Sequence, residues 1–231
     1  MAVILSIETS TSVCSVALSK DGDCLVEKTH YDGPSHATKL PVFIKEMLDF
    51  AAVKNLSPDA IAVSCGPGSY TGLRIGVSTA KGLCFGYDIP LIAINTLQIM
   101  ASTVIQNQQV DANTILCPMI DARRMEVYTA FFNNQLETVR KTSADIIEEN
   151  SYDEQLNKQT VLFFGNGAEK CKTTLKHSNA VFLNDIHPIA KNMITLAEAS
   201  FKTKIFEDVA YFEPFYLKEF VATTAKEKLK N

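Results

Sequence analysis

The sequence predicts an α/β protein of two lobes, each a mixed sheet with helices, related by duplication. Two observations carry that expectation. Each half opens with a strand, a polar turn and a second strand: Ala2–Ile7 then Val13–Leu18, and Leu116–Ile120 then Val127–Phe132. Each half then has an apolar run that stops at glycines, Asp59–Val63 before Gly66-Pro67-Gly68 and Thr160–Phe164 before Gly165-Asn166-Gly167. Strand, glycine turn and helix form the crossover that builds parallel sheet. With 231 residues, 46% of them hydrophobic, the chain can fill two cores.

Taken in order, Ala2–Ile7 is a strand and Glu8-Thr9-Ser10-Thr11-Ser12 is the turn after it. Val13–Leu18 alternates as its partner, and Asp21-Gly22-Asp23 signals a hairpin leading into a third strand, Cys24–Tyr31. Ser35–Ala52 reads as an amphipathic helix with Leu40, Ile44, Met47, Leu48 and Ala51 on one face, while Phe43 and Phe50 fall off it. Pro41 either sits in its first turn or kinks it. The strand at 59–63 and the glycine loop precede a helix over Tyr70–Phe85. A strand at Pro90–Ile94, a helix at Leu97–Gln106 and a polar linker, Gln106–Asn113, close the first half. In the second half, Leu116–Ile120 ends at Asp121-Ala122-Arg123-Arg124, Val127–Phe132 returns and Asn133-Asn134 turns the chain again. Thr160–Phe164 then ends at Gly165–Ala168 before a helix. The lobes are therefore expected at 1–107 and 108–231.

The glycine loop and its helix are the most informative stretch. A strand that ends in glycines and opens a helix leaves free backbone N–H groups over the loop, a geometry suited to phosphate. Yet no Gly-Lys-Ser/Thr follows, and Gly66-x-Gly68-x-x-x-Gly72 is not the dinucleotide spacing. No lysine lies in the loop, and Arg74 comes one turn later. The alternative is shape, with Gly68 at a positive φ and Gly72 allowing a neighbouring helix to approach. Within the helix Gly72, Gly76 and Ala80 form one small-residue stripe, and Gly82 and Gly86 follow. Each glycine costs about 1 kcal/mol relative to alanine, which close packing must offset.

Composition excludes several classes. The net charge is −4, and the one basic cluster, Lys226, Lys228 and Lys230, is a terminal tail, so no basic face for gripping RNA alone is visible. The six cysteines form no CxxC pair and sit mostly in apolar runs, as reduced thiols of a cytoplasmic protein do. The four histidines show no metal-ligand spacing. No apolar run approaches a membrane span, and Met1-Ala2-Val3-Ile4-Leu5 leads straight into a strand without a basic leader.

Two such halves resemble the duplicated fold of actin, Hsp70 and the sugar kinases, whose lobes are ribonuclease H-like. In that fold an acidic residue of each lobe's hairpin turn serves magnesium beside a nucleotide. The resemblance then narrows. Ile7–Leu18, Asp59–Val63 with Gly66–Gly76, Asp121-Ala122-Arg123 with Glu126-Val127-Tyr128, and Pro214–Lys218 together resemble the TsaB family, also called YeaZ. That family serves the bacterial machinery that installs N6-threonylcarbamoyladenosine on tRNA. The same segments are similar to TsaD, the catalytic relative, where the strand after the small-residue helix leads to a metal-binding histidine motif. Here that place reads Ile94-Asn95-Thr96-Leu97-Gln98-Ile99-Met100-Ala101, without histidine. Amide, hydroxyl and thioether groups do not replace two imidazoles on a divalent metal.

The resemblance thus implies a scaffold subunit with neither catalytic nor metal-binding residues and no cofactor bound stably. ATP would be handled by the complex, through the ATPase TsaE, and tRNA met only there. The partner is TsaD, or a second copy of the chain when TsaD is absent. The implied interface comprises His36, Lys39, Leu40, Phe43 and Met47 of the first helix with Tyr70, Gly72, Leu73, Gly76, Val77, Ala80 and Lys81 of the second. Glu8, Ser10, Thr11, Gly66, Gly68, Asp121, Gly165 and Gly167 would be relics of a nucleotide cleft. The competing expectation is a small-molecule kinase that binds ATP between the lobes. Against it, Arg123 and Arg124 are bulky where such sites place Gly or Thr.

Overall fold

The computed structural model describes residues 2–33 and 35–218. The first half runs β1 (Val3–Glu8), β2 (Cys14–Lys20), β3 (Asp23–His30), α1 (His36–Val53), β4 (Ala60–Gly66), α2 (Tyr70–Tyr87) and β5 (Leu91–Asn95). After α3 (Thr96–Asn107) come β6 (Thr114–Asp121), β7 (Glu126–Phe132), β8 (Thr138–Ile146), α4 (Asp153–Leu156), β9 (Thr160–Phe164), β10 (Ala180–Leu183) and α5 (Ile194–Lys202).

The two sheets have the same topology. One is ordered β3-β2-β1-β4-β5, the other β8-β7-β6-β9-β10. In each, three antiparallel strands form a meander and two parallel strands extend it from the first. This is the duplicated actin-like α/β fold that the two repeated hairpins predicted. The central strands β1 and β4 are buried along almost their whole length because both their faces are covered, whereas the edge strand β3 alternates with solvent. At the β2–β3 hairpin Asp21 and Gly22 both adopt positive φ, the pair of conformations a tight two-residue turn needs.

The helices are shared more than the sequence suggests. α1 and α2 cover one face of the first sheet, burying Leu40, Ile44, Met47, Val77 and Cys84 over Leu5, Ile7 and Val63. The other face, rich in alanine, receives Ile99 of α3 together with Met193 and Ala197. The opposite side of α3, with Leu97, Met100, Ala101 and Val104, packs on the second sheet. α3 is therefore the wedge between the lobes.

Two expectations need correction. The division at 107/108 separates the sheets, but α5 and the segment 205–215 pack on the first lobe rather than the second. α5 lies on the first sheet, and the backbone of Glu207 bridges to Leu91 on the edge strand β5. Likewise, the glycine turn at 165–168 leads only into one 3-10 turn, Glu169–Cys171, rather than a full helix. No helix among the described residues is long and apolar enough to cross a membrane.

Candidate functional site: the interlobe cleft and the outer helix face

A cleft of about 1400 Å³ opens between the lobes. Its first wall is the β1–β2 turn with the glycine loop and the start of α2, and its second is the β6–β7 turn. The segment Phe215–Lys218 closes one side.

The glycine loop is shaped by the groups beneath it. The Gly66–Pro67 peptide is cis, and Gly66 has φ +112° with the Phe215 carbonyl against it. Ser69 caps α2, its Oγ accepting from Gly72 N at 3.2 Å, and Ser69 N donates to Ser10 O at 2.6 Å. A Cβ at Gly68 would strike the Ser10 carbonyl, one at Gly72 the Thr9 carbonyl and one at Gly76 the Thr9 hydroxyl. The positive φ expected at Gly68 thus belongs to Gly66. The close approach expected at Gly72 is made first by the Thr9 carbonyl of the β1–β2 turn, with the His36 side chain of α1 next to it.

Of the eight expected cleft relics, Ser10, Thr11, Gly68 and Asp121 line the cavity, while Glu8, Gly66, Gly165 and Gly167 do not. Glu8 is fully buried at the end of β1, with Oε1 accepting from Ser10 N at 2.5 Å and Oε2 unpartnered. Burial pushes its carboxyl up to about 7, against the pull of the Ser10 N–H. Asp121 is paired with Lys170 and accepts from Arg123 N at 3.1 Å. Gly165 and Gly167 are pressed against the backbone of β6, at Met119 and Ile120. The turn therefore packs on its own sheet and frames no open cradle. The thiol beside the glycine loop, Cys65, is pushed up to about 12 by burial and is a poor nucleophile.

The implied interface residues divide sharply. His36, Leu40, Met47, Gly72, Leu73, Gly76, Val77 and Ala80 are buried inside the first lobe, so the stripe that marked α2 faces its own sheet. His36 Nε2 is 2.7 Å from the Thr11 carbonyl. Lys81 donates to the carbonyls of Ala210 and Phe212, both at 3.0 Å, and Tyr70 meets Tyr216 in a tilted contact with centroids 4.8 Å apart. Phe43 is half-buried, and Lys39 is exposed.

The outward side of α2 is different: it carries Arg74, Ser78, Gly82, Phe85 and Gly86. Among the described residues nothing lies within 4 Å of a Cβ built on Gly82 or Gly86, and Phe85 is 87% exposed. On α1 the large exposed apolar residues are Val42 and Val53. The glycine pair spaced by four is the sequence signal for this face, but the larger stripe points to the opposite side.

Comparison with known proteins decides the family. A family model described as TsaD, tRNA N6-adenosine threonylcarbamoyltransferase, matches residues 32–226. The tRNA threonylcarbamoyladenosine biosynthesis protein TsaB of Escherichia coli (strain K12) is 30% identical over 230 residues, 95% of this chain and 96% of its own. The chain belongs to the TsaB family. TsaB of Haemophilus influenzae is 39% identical over 128 residues, 54% of this chain and 51% of that protein. The solved structure of YeaZ from Pseudomonas aeruginosa shares the fold, with a TM-score of 0.79 at 24% identity over 94% of this chain and all of that one.

In this member of the TsaB family the stretch after β5 is structural. Asn95 caps α3, its Oδ1 accepting from Leu97 N at 2.9 Å and Gln98 N at 3.3 Å. Leu97, Ile99 and Met100 are buried in the wedge between the sheets. Among the described residues no three His, Cys, Asp or Glu side chains are grouped to hold a metal ion.

Proposed function

We propose that this chain is a non-catalytic subunit in tRNA N6-threonylcarbamoyladenosine formation, docked through the outer face of α1 and α2 onto the homologous catalytic subunit TsaD. The biosynthetic assignment rests on the relatives named for that pathway. The observation that carries the docking surface is the open face of α2. Gly82 and Gly86 each cost a helix about 1 kcal/mol relative to alanine, and no group among the described residues uses the space they leave. Close approach by a second helix would use it, with Phe85 beside them as the apolar anchor. A second copy of the chain can occupy the same face when TsaD is absent.

The non-catalytic reading is supported by the cleft, where Glu8 is sealed and Asp121 is committed to Lys170. On this reading the complex handles ATP through the ATPase TsaE, in the cytoplasm, and this chain retains no cofactor. Co-expression with TsaD tests the docking: Phe85→Glu and Gly82→Arg should each abolish co-purification while leaving the unfolding temperature of the chain within a few degrees. A folded variant that still co-purifies would remove this face from the interface. Modified nucleoside formed by the isolated chain from threonylcarbamoyl-adenylate and tRNA would overturn the non-catalytic role.

A further inference from the structure

The cleft carries a feature that the docking role leaves unused. Arg123 and Arg124 occupy consecutive left-handed positions, φ +73° and +48°, in the β6–β7 turn. Residues with a Cβ adopt that conformation at a cost, and Gly or Asn would make the turn more readily. Both side chains are exposed and line the cleft. Among the described residues neither guanidinium has a hydrogen-bond or ion-pair partner, because the nearby acids are taken. Asp121 is paired with Lys170, and Glu126 with Lys218 at 2.6 Å. Two unneutralised cations thus stand in one cleft of a chain whose net charge is −4.

The wall opposite them suits the same kind of ligand. The Ser69-capped amino end of α2 lines the cleft, and the N-terminus of an 18-residue helix favours anions. Tyr70 and Tyr216, in a tilted ring contact, also line it, and Arg74 lies over the Tyr70 ring at 4.2 Å. We propose that Arg123 and Arg124, with the amino end of α2, hold phosphodiester groups of an RNA strand in the assembled complex, the tyrosine pair offering a stacking surface for a base. The proposal deepens the function above and rests on it. RNA fits better than a free nucleoside polyphosphate. A polyphosphate brings magnesium, yet Glu8 is sealed, Asp121 is tied to Lys170, and the Gly165–Gly167 turn is packed on β6. A nucleic-acid backbone asks instead for exposed, planar, bidentate cations beside aromatic faces.

The test uses the complex of this chain with TsaD and unmodified tRNA, with the dissociation constant measured by fluorescence anisotropy across a series of KCl concentrations. The double variant Arg123→Asn/Arg124→Asn keeps the turn, since Asn tolerates left-handed φ. Loss of two phosphate contacts should lower the log–log salt slope by about 1.4 and weaken binding about tenfold at low salt. Co-elution with TsaD and the unfolding temperature of the variant should match the wild type. An unchanged slope in an assembled variant complex would overturn the RNA contact alone. Failure of the wild-type chain to assemble with TsaD would overturn the docking role, and this proposal with it. Saturable binding of ATP to the chain, lost in the double variant, would assign the cleft to a nucleotide and overturn the RNA reading.

Discussion

The two lobes share one strand order, yet they use their crossovers in opposite ways. In the first lobe the glycine turn after β4 launches α2, an 18-residue helix that buries one side on the sheet and presents the other to solvent. In the second the equivalent turn after β9 launches a single 3-10 turn, and the connection between β8 and β9 holds only the four-residue α4. The exposed sheet face there is sealed by compact packing: Tyr152 lies over Phe131 and Phe163, and Arg140 caps Phe131 while paired with Asp145 at 2.6 Å. A lobe that keeps two long helices retains a broad, patterned outer surface. One that trims them keeps the core and gives that surface up. The hairpins diverge as well, since Glu8 in the first is buried with its carboxyl raised by desolvation, whereas Asp121 in the second is half-exposed and ion-paired.

The contrast between the buried and open sides of α2 is broken most severely by Gly76→Arg. A Cβ at Gly76 would already strike the Thr9 hydroxyl, so the side chain must displace the β1–β2 turn and bury a charge. The combined cost exceeds about 5 kcal/mol, comparable to the whole stability of many domains. Circular dichroism should show loss of the folded state. A folded Gly76→Arg chain would mean that the stripe faces outward after all.

The glycine turns offer a matched pair. Gly66 and Gly165 both have φ above +100°, so alanine strains either. At Gly66 the obstructing atom is the Phe215 carbonyl of a surface segment, whereas at Gly165 the Met119 carbonyl of the central strand β6 stands in the way. Gly165→Ala should therefore cost about 4 kcal/mol and Gly66→Ala about 2, summing strain and overpacking. Urea midpoints would check the order. Equal values would imply that the 215 segment is as unyielding as the sheet.

Glu8 separates the hairpins by pH. Its folded carboxyl is raised to about 7 from 4.5 by burial. Below about pH 4.5 both folded and unfolded forms are protonated and its neutral form is fully accommodated. Between about 4.5 and 7 the unfolded chain ionises first, and stability falls by about 1.4 kcal/mol per unit, reaching about 3 kcal/mol. Above that window no further loss occurs. Glu8→Gln should flatten that decline, so the difference between wild type and variant, measured by urea unfolding at about pH 5 and pH 8, should shift by about 3 kcal/mol. A constant difference would show that Glu8 is ionised in the fold.

The strands and both hairpins were legible because alternation and apolar runs report burial directly, and the repeated order made the duplication visible. The site was less so. Helix α2 carries small residues around most of its girth, and a glycine records only that space is needed, not which neighbour takes it. Gly72 and Gly76 belong to Thr9, Gly82 and Gly86 to no group among the described residues, and the sequence treats them alike. The pattern at Gly165–Ala168 signals a turn but carries no measure of how short the helical segment after it is. The run 205–218, which reaches from Leu91 past Lys81 to the cleft, has no period to betray it and is held by backbone contacts to Leu91, Cys65 and the Lys81 amine. Its predicted membership of the second lobe failed for that reason. The resemblance of Pro214–Lys218 to the family's closing segment marked its end alone.

The smallest effect is the most diagnostic of why the first lobe keeps its long helix. Gly82 sits inside α2, and no described residue lies where its Cβ would be, so Gly82→Ala meets no clash among them. Alanine narrows the unfolded ensemble and improves helix propensity, and the isolated chain should gain about 1 kcal/mol, a rise of a few degrees in unfolding temperature. A stabilising change is thus available and unused. If the open face is where a partner helix comes close, the added methyl should weaken association with TsaD while stabilising the free chain, so the two effects have opposite signs. The pair of measurements, thermal unfolding of the chain alone and affinity for TsaD by calorimetry, separates the explanations. Greater stability with unaltered affinity would show that Gly82 has no interface to serve, and the comparison between the lobes would then rest on Phe85 alone.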